Sequence, residues 1–525
     1  MRAASLPRPV SLLLGLTLSC LIPSTSRAAV LIVSNSTDVL NGDVASPEAL
    51  IVNPGPDGIS LREAMTAVNN APGPHLITFD ASLAGQTIVL THAQGGFGVS
   101  RDGIAIVGIV DANGKPTITL DAGSITPILF GVLASDFTLS RLRIVHLAGS
   151  FGVWINAGVT GSLPTPNEMR NITIEGNEFS NEGLGLTTAI PITIGTDGSS
   201  TVAMLLSVLI ARNSFTNFQA DPSGPGGDGV HVHADGAGSL IRDVTIAGNT
   251  FSNVTFGTEL ATGQALSSRI ENTRIDSNIF TGNNQPVNLN HFGPLGGPAS
   301  SENTIDGTQI TNNVLDGSLG AAAIILIGGA MNASQDAITN TRIVNNVITG
   351  STTAGGILVI GGNAGGAQNR VDGVSVVNNT IVGNAGNGVS AVSDPEQIHA
   401  GNTVSGVTVL NSLFFENGAD FLDSVPVAVS YSITADPQFA GSNGNFFANP
   451  LFVDPVHADF HLQAGSPAID AGTVVGAPCV DFDGFARLTD GKVDIGAYEF
   501  GAVFSPRSCT TAVAPPRVVR VTGRN

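Results

Sequence analysis

Two histidines two residues apart, followed by an aspartate at the same spacing, are the side chains of this sequence best suited to chemistry. They stand in the segment Val230-His231-Val232-His233-Ala234-Asp235. In an extended chain alternate side chains share a face, so His231, His233 and Asp235 point one way and Val230 and Val232 the other. Residues 192–197 align with this segment one repeat earlier, and Val287-Asn288-Leu289-Asn290-His291 aligns with it two repeats later. Glu259 lies in the repeat between. Imidazole, carboxylate and amide groups in one row could hydrogen-bond sugar hydroxyls or move protons near neutral pH. The candidate patch is therefore His231, His233, Asp235, Glu259, Asn288, Asn290 and His291. The two histidines could also contribute to a metal site, although the sequence shows no clear third ligand. The competing reading is a solvated sheet face.

A second group of chemically capable residues lies near the C-terminus: Asp454, Asp470, Asp481, Asp483, Asp490, Asp494 and Glu499. Hard oxygen ligands at short spacings suit Ca2+, and Asp470, Asp481, Asp483 and Asp494 are its candidate ligands. The same aspartates sit beside glycines, as in ordinary turns. No motif requires a cofactor, and none identifies a catalytic residue.

The elements that must position these groups are set by an internal repeat. A nine-residue pattern recurs eight times, as NITIEGNEF from Asn171, SVLIARNSF from Ser207, DVTIAGNTF from Asp243, NTRIDSNIF from Asn272, GTQITNNVL from Gly307, NTRIVNNVI from Asn340, GVSVVNNTI from Gly373 and GVTVLNSLF from Gly406. Positions two and four are apolar or Thr, an alternation that marks a strand. Position seven is Asn in seven copies and Ser412 in the last, and position nine is Phe, Leu or Ile. Along position seven the intervals are 36, 36, 29, 35, 33, 33 and 33 residues. A nearly constant period makes each repeat one turn of a solenoid. Asn tolerates the left-handed backbone of a tight corner, and stacked Asn amides can hydrogen-bond along the axis. A helical solenoid is disfavoured, because Gly, Asn, Thr and Val dominate the repeats. Leu142 and Ile144 fit positions two and four of one earlier coil, and Ile104, Ile106, Ile118 and Leu120 suggest strands before that. Ser60 with Glu63 three residues on forms a capping box, so residues 60–70 read as a helix that covers the open N-terminal end.

Composition narrows the setting. The 525 residues carry a formal charge of −20, only two lysines (Lys115 and Lys492) and 5% aromatics, so the basic footprint of a nucleic-acid binder is missing. Arg2 and Arg8 precede a short apolar run from Val10 to Ile22, and Ser26-Arg27-Ala28 offers small residues at a cleavage point. The expectation is a Sec-type signal ending near Ala28, an extracellular or cell-surface location, and no membrane-spanning helix afterwards. Cys20 falls in that signal, and Cys479 and Cys509 either form one disulfide or stay as thiols.

At the two ends the chain resembles a known family. ISLREAMTAVNNAPGPHLITFD, from Ile59 to Asp80, is similar to the CSLREA segment that opens many secreted bacterial β-helix proteins, with Ile59 where that family usually has Cys. NPLFVDPVHADFHLQAGSPAIDAG, followed by DFDGFARLTDGKVDIGAYEF, resembles the choice-of-anchor Q region. The resemblance implies an all-β, right-handed parallel β-helix of the pectate-lyase-like superfamily. About ten coils are expected, with an N-terminal helical cap and a small C-terminal capping module. The organisation expected is a signal peptide over 1–28, a cap and first strands over 29–130, repeats over 131–445, the anchor-like module over 446–500 and a tail over 501–525. Proteins of this superfamily include polysaccharide lyases and glycoside hydrolases, but their catalytic signatures are missing here. Two functions remain open, both for an expected monomer: a protein that binds or processes extracellular polysaccharide along the solenoid face, and a non-catalytic rod at the cell surface. The scarcity of Trp and Tyr weighs against the first. The anchor-like module favours the second.

Overall fold

The computed structural model describes residues 28–502 apart from 92–94, 124–126, 148, 150, 159–165, 197–201, 221–225, 264–265, 293–299, 354, 397–400 and 488–490. The signal-like segment, Cys20, Asp490, Cys509 and the tail beyond residue 502 lie outside the described residues. Cys479 is disulfide-bonded.

The chain winds into a parallel β-solenoid whose coils feed three sheets. A long-strand sheet runs through eleven strands from Phe97–Val99 to Ala419–Asp423. A short-strand sheet, also of eleven, runs from Thr87–Val89 to Leu413–Phe415. The third sheet has eighteen strands among the described residues, because from Arg269 to Leu410 each coil enters it as two pieces of three or four residues. Inward side chains form one continuous apolar core along the axis.

The nonapeptide maps onto the corner between the third sheet and the short-strand sheet. Positions two and four, such as Ile172 and Ile174, point inward on the third sheet, and position nine points inward on the short-strand sheet. Phe179, Phe215, Phe251 and Phe280 stack there with centroids 5.3, 4.8 and 4.7 Å apart. At position seven, the backbone N–H and Nδ2 of Asn177 both donate to Oδ1 of Asn213, at 2.9 and 3.0 Å, and Nδ2 also donates to the Leu139 carbonyl. The same pattern repeats coil by coil to Asn346, whose N–H and Nδ2 reach Oδ1 of Asn379.

The expected left-handed turn is not at these asparagines. It falls one residue earlier, at position six: Gly176, Arg212, Gly248, Ser277, Asn312, Asn345, Asn378 and Asn411 all have positive φ, as do all eight residues of position one. A corner at position six aims position seven into the interior, where its amide is needed. The reading of Leu142 and Ile144 is also corrected. Ile144 pairs with Phe179 and Leu142 N–H donates to Asn177 Oδ1, so these two residues hold positions nine and seven. Positions two and four of that coil are Phe137 and Leu139, between left-handed Asp136 and Arg141. The five-residue slip arose because both stretches alternate apolar side chains.

Both ends of the stack are closed. Ser60 caps the helix Leu61–Asn69 with the full capping box, and a shorter helix, Pro47–Val52, packs beside it. At the other end the coils shrink: the position-seven column continues from Ser412 to Ser432 and then Asn445, only 20 and 13 residues apart. The C-terminal module covers the flank of the last coils. Its Phe452, Leu462, Ile495, Ala497 and Tyr498 bury Val347, Val382 and Leu413.

Candidate functional site

The outward face of the long-strand sheet carries the residues singled out above. Four neighbouring strands matter: Ile190–Thr196, Val230–Ala234, Phe256–Thr262 and Gln285–Phe292. Their parallel register builds two outward columns. One reads Trp154, Thr193, His231, Glu259, Asn288, Ile325, Leu358, and the other Asn156, Gly195, His233, Ala261, Asn290, Ile327, Ile360. The ionisable side chains of these columns, His231, His233 and Glu259, thus fall in the middle coils, followed by apolar Ile325, Ile327, Leu358 and Ile360 before Ser390 continues the first column. Gly195 leaves room there for the His233 ring, which a Cβ at this position would meet at 2.4 Å from Nε2 and push aside.

Glu259 is the centre of the cluster. It is 7% exposed, and its Oε1 accepts from Asn290 Nδ2 at 2.8 Å and Asn288 Nδ2 at 3.3 Å. Oε2 faces His231 Nε2 at 3.6 Å. On its other side the same imidazole meets Asp228, with Nδ1 3.3 Å from Oδ2. Burial alone would lower the His231 pKa, but the hydrogen bond to Asp228 and the charges of Glu259, Asp228 and Asp235 outweigh it and raise the pKa to about 9. Burial raises Glu259 to about 7, against the opposing pull of the His231 charge. His233 stands beside His231 with ring centroids 5.1 Å apart and is paired with Asp235 through Nδ1 at 2.8 Å.

His291 stands apart from the patch. It points inward, is fully buried, contacts Thr262 Oγ1 through Nδ1 and lies 3.1 Å from the Ala337 carbonyl through Nε2. Burial pushes its pKa down to about 4, so it is a neutral core residue. Asp228 is the member that sequence reasoning missed. It sits in the run Gly226-Gly227-Asp228-Gly229, which reads as a turn. Its place three residues before His231 was the available signal.

The C-terminal acids do not join a metal-ligand cluster among the described residues. Asp481 accepts from Phe485 N–H and Glu499 N–H, Asp494 from Asp470 N–H and Phe500 N–H, Asp470 from Lys492, and Asp483 contacts His461. These bonds knit the module around Arg487, which is fully buried and bonded to Glu499, Asn345 and two backbone carbonyls.

No family model matches the chain, and no curated protein matches it in sequence. Solved structures do match. Pectate lyase Pel9A is 14% identical with a TM-score of 0.35, over 90% of this chain and 96% of its own. The A-module of the Azotobacter vinelandii mannuronan C-5 epimerase AlgE6 is 15% identical with a TM-score of 0.40, over 72% and 95%. A mannuronic acid specific polysaccharide family 6 lyase from human gut microbiota is 11% identical with a TM-score of 0.33, over 68% and 87%.

Proposed function

We propose that this chain binds extracellular polysaccharide along the outward face of its long-strand sheet, with His231 and Glu259 as the groups able to transfer a proton on the bound chain. The observation that carries this reading is the convergence of Asp228, His231, Glu259, Asn288 and Asn290 on the outward face of consecutive middle coils. A purely structural rod gives no reason for buried acids to converge on its outer face, since burying a carboxylate is costly. A long parallel sheet also presents the extended surface that a linear polymer needs. The second reading, a non-catalytic surface rod, is favoured by one observation: two hollows among the described residues lie away from this patch, one by Phe415 and Phe452 and one by Asp121 and Arg143.

The test is a panel of acidic and neutral polysaccharides, scored for binding, for unsaturated uronate absorbance and for new reducing ends. Binding that weakens at least tenfold in Glu259→Gln and His231→Asn, with circular dichroism unchanged, supports the proposal. No binding and no depolymerisation across the panel assigns the chain to the rod reading.

A further inference from the structure

Asp228, His231 and Glu259 have a geometry that neither sugar binding nor core packing requires. One ligand atom from each lies within 4.8 Å of the other two. Asp228 and Glu259 are 2% and 7% exposed, and the His231 side chain 24%, so the group is sunk into the sheet surface and open on one side. Its orientation is fixed from behind. The two asparagines hold Glu259 by Oε1 and leave Oε2 turned towards the imidazole. Such support of a ligating carboxylate by outer hydrogen bonds is what metal sites use to aim their ligands. A second observation concerns the buried oxygens of the cluster and of the two asparagines behind it. Asp228 Oδ1, Asn288 Oδ1 and Asn290 Oδ1 are buried oxygens with no hydrogen-bond partner. Buried acceptors of this kind are rare, because each costs about 1–3 kcal/mol unless something satisfies it.

We propose that Asp228, His231 and Glu259 form a binding site for a divalent transition-metal cation of the zinc class. Each carboxylate supplies one oxygen and His231 one ring nitrogen. An imidazole ligand suits zinc, manganese and their neighbours, whereas Ca2+ takes six to eight oxygens. Three protein ligands leave a fourth position open towards solvent, the arrangement of sites that also take water or a substrate oxygen. The metal displaces the proton from the coordinating nitrogen, and two carboxylates balance its charge. His233 stands outside the group, whose converging ligand atoms come from Asp228, His231 and Glu259 alone among the described residues. This assignment stands whether or not polysaccharide binds; with the cation bound His231 and Glu259 are ligands, so proton transfer by the pair belongs to the metal-free site.

The experiment is calorimetric titration of the chelator-stripped, full-length chain with ZnCl2, MnCl2 and CaCl2 in turn. Co2+ absorption spectra serve as a second measurement. The expected result is one Zn2+ or Mn2+ per chain, with affinity at least tenfold weaker in His231→Asn, Asp228→Asn and Glu259→Gln and unchanged in His233→Asn. The Co2+ spectrum should show a four- or five-coordinate site that His231→Asn abolishes. Should the acid variants fail to fold, His231→Asn with the Co2+ spectrum decides alone. Three outcomes overturn the proposal: no binding, binding untouched by His231→Asn, or binding of Ca2+ alone. Repeating the polysaccharide panel in the presence of chelator separates the two readings, so that either can fail without the other.

Discussion

Asp336 shows how much one atom matters inside the solenoid. It belongs to a second buried column, Ser268, Asn303, Asp336, Asn369 and Asn402, in which each side-chain oxygen from Asn303 onward accepts from the preceding coil's backbone N–H. Asn369 and Asn402 also donate Nδ2 to the carbonyls of Ala333 and Gly366. An aspartate has no Nδ2, and Asp336 Oδ2 is buried without a partner. Burial, outweighing the bonds from Asn303, raises its pKa from 3.8 to about 7. Between these two values the folded state binds more protons than the unfolded one, so stability falls as pH rises through that window and the penalty is complete above about pH 7. Its ceiling is about 4 kcal/mol, from roughly three pKa units. Asp336→Asn restores the missing donor. It should raise the melting temperature at pH 8 and change it little at pH 4, which a pair of thermal scans will show. The same logic made the residue invisible beforehand: Asp and Asn look alike as column members in sequence, and only burial separates them. His231, His233, Glu259, Asn288 and Asn290 were legible as one face because strand alternation is strict. Asp228 was not, since a turn residue has no period to betray it.

The element that organises the molecule is the corner of the nonapeptide. Its period, strand and Phe column could be read from spacing alone, but the division of labour between positions six and seven could not, because both are often Asn. Asn249 tests position seven. Its Oδ1 accepts from the N–H and Nδ2 of Asn213, and its Nδ2 donates to the Ile210 carbonyl. Asn249→Ala removes all three bonds, leaving the Asn213 N–H without its acceptor while Asn213 Nδ2 keeps the Ile174 carbonyl, and should cost on the order of 2 kcal/mol, measured as a drop in the denaturation midpoint. Position six does a different job in the last coils. Asn378 has φ of 51° and donates Nδ2 to the carbonyls of Asp494 and Gly496, while Asn411 grips Thr473 and Asn345 holds Arg487. Left-handed asparagines thus fasten the C-terminal module to three successive coils. Asn378→Gly keeps the corner and loses only the clamp, whereas Asn378→Ala loses both. Limited proteolysis should therefore release the module faster in both variants, and the melting temperature should fall further in the alanine variant.

At the scale of the whole chain, a stack of parallel coils has two exposed edges and one flank that must not be left apolar. The helix Leu61–Asn69 answers the first edge, and its capping box made it readable in advance. The second edge is closed by the shrinking coils through Ser432 and Asn445, with Phe439 edge-on to Phe421. The flank is a separate requirement. Val347, Val382 and Leu413 are outward residues of the short-strand sheet, and they are buried in a cluster with Phe452, Leu462, Ile495 and Tyr498 of the C-terminal module. Nothing in the repeat pattern signals this, since a strand's outward positions carry no fixed chemistry. The division has a consequence that can be measured. A chain ending at residue 449 keeps the continuous core and the terminal coils that close it, so its far-ultraviolet circular dichroism should still show β-structure. It uncovers a contiguous apolar strip on the flank, and such strips drive association. Size-exclusion chromatography should find the truncated chain in larger species, and Val347→Thr with Leu413→Thr should return it to the size of the full-length protein. If the truncated chain instead loses its β-sheet signal, the module is part of the folding unit and the terminal coils do not suffice to close the stack.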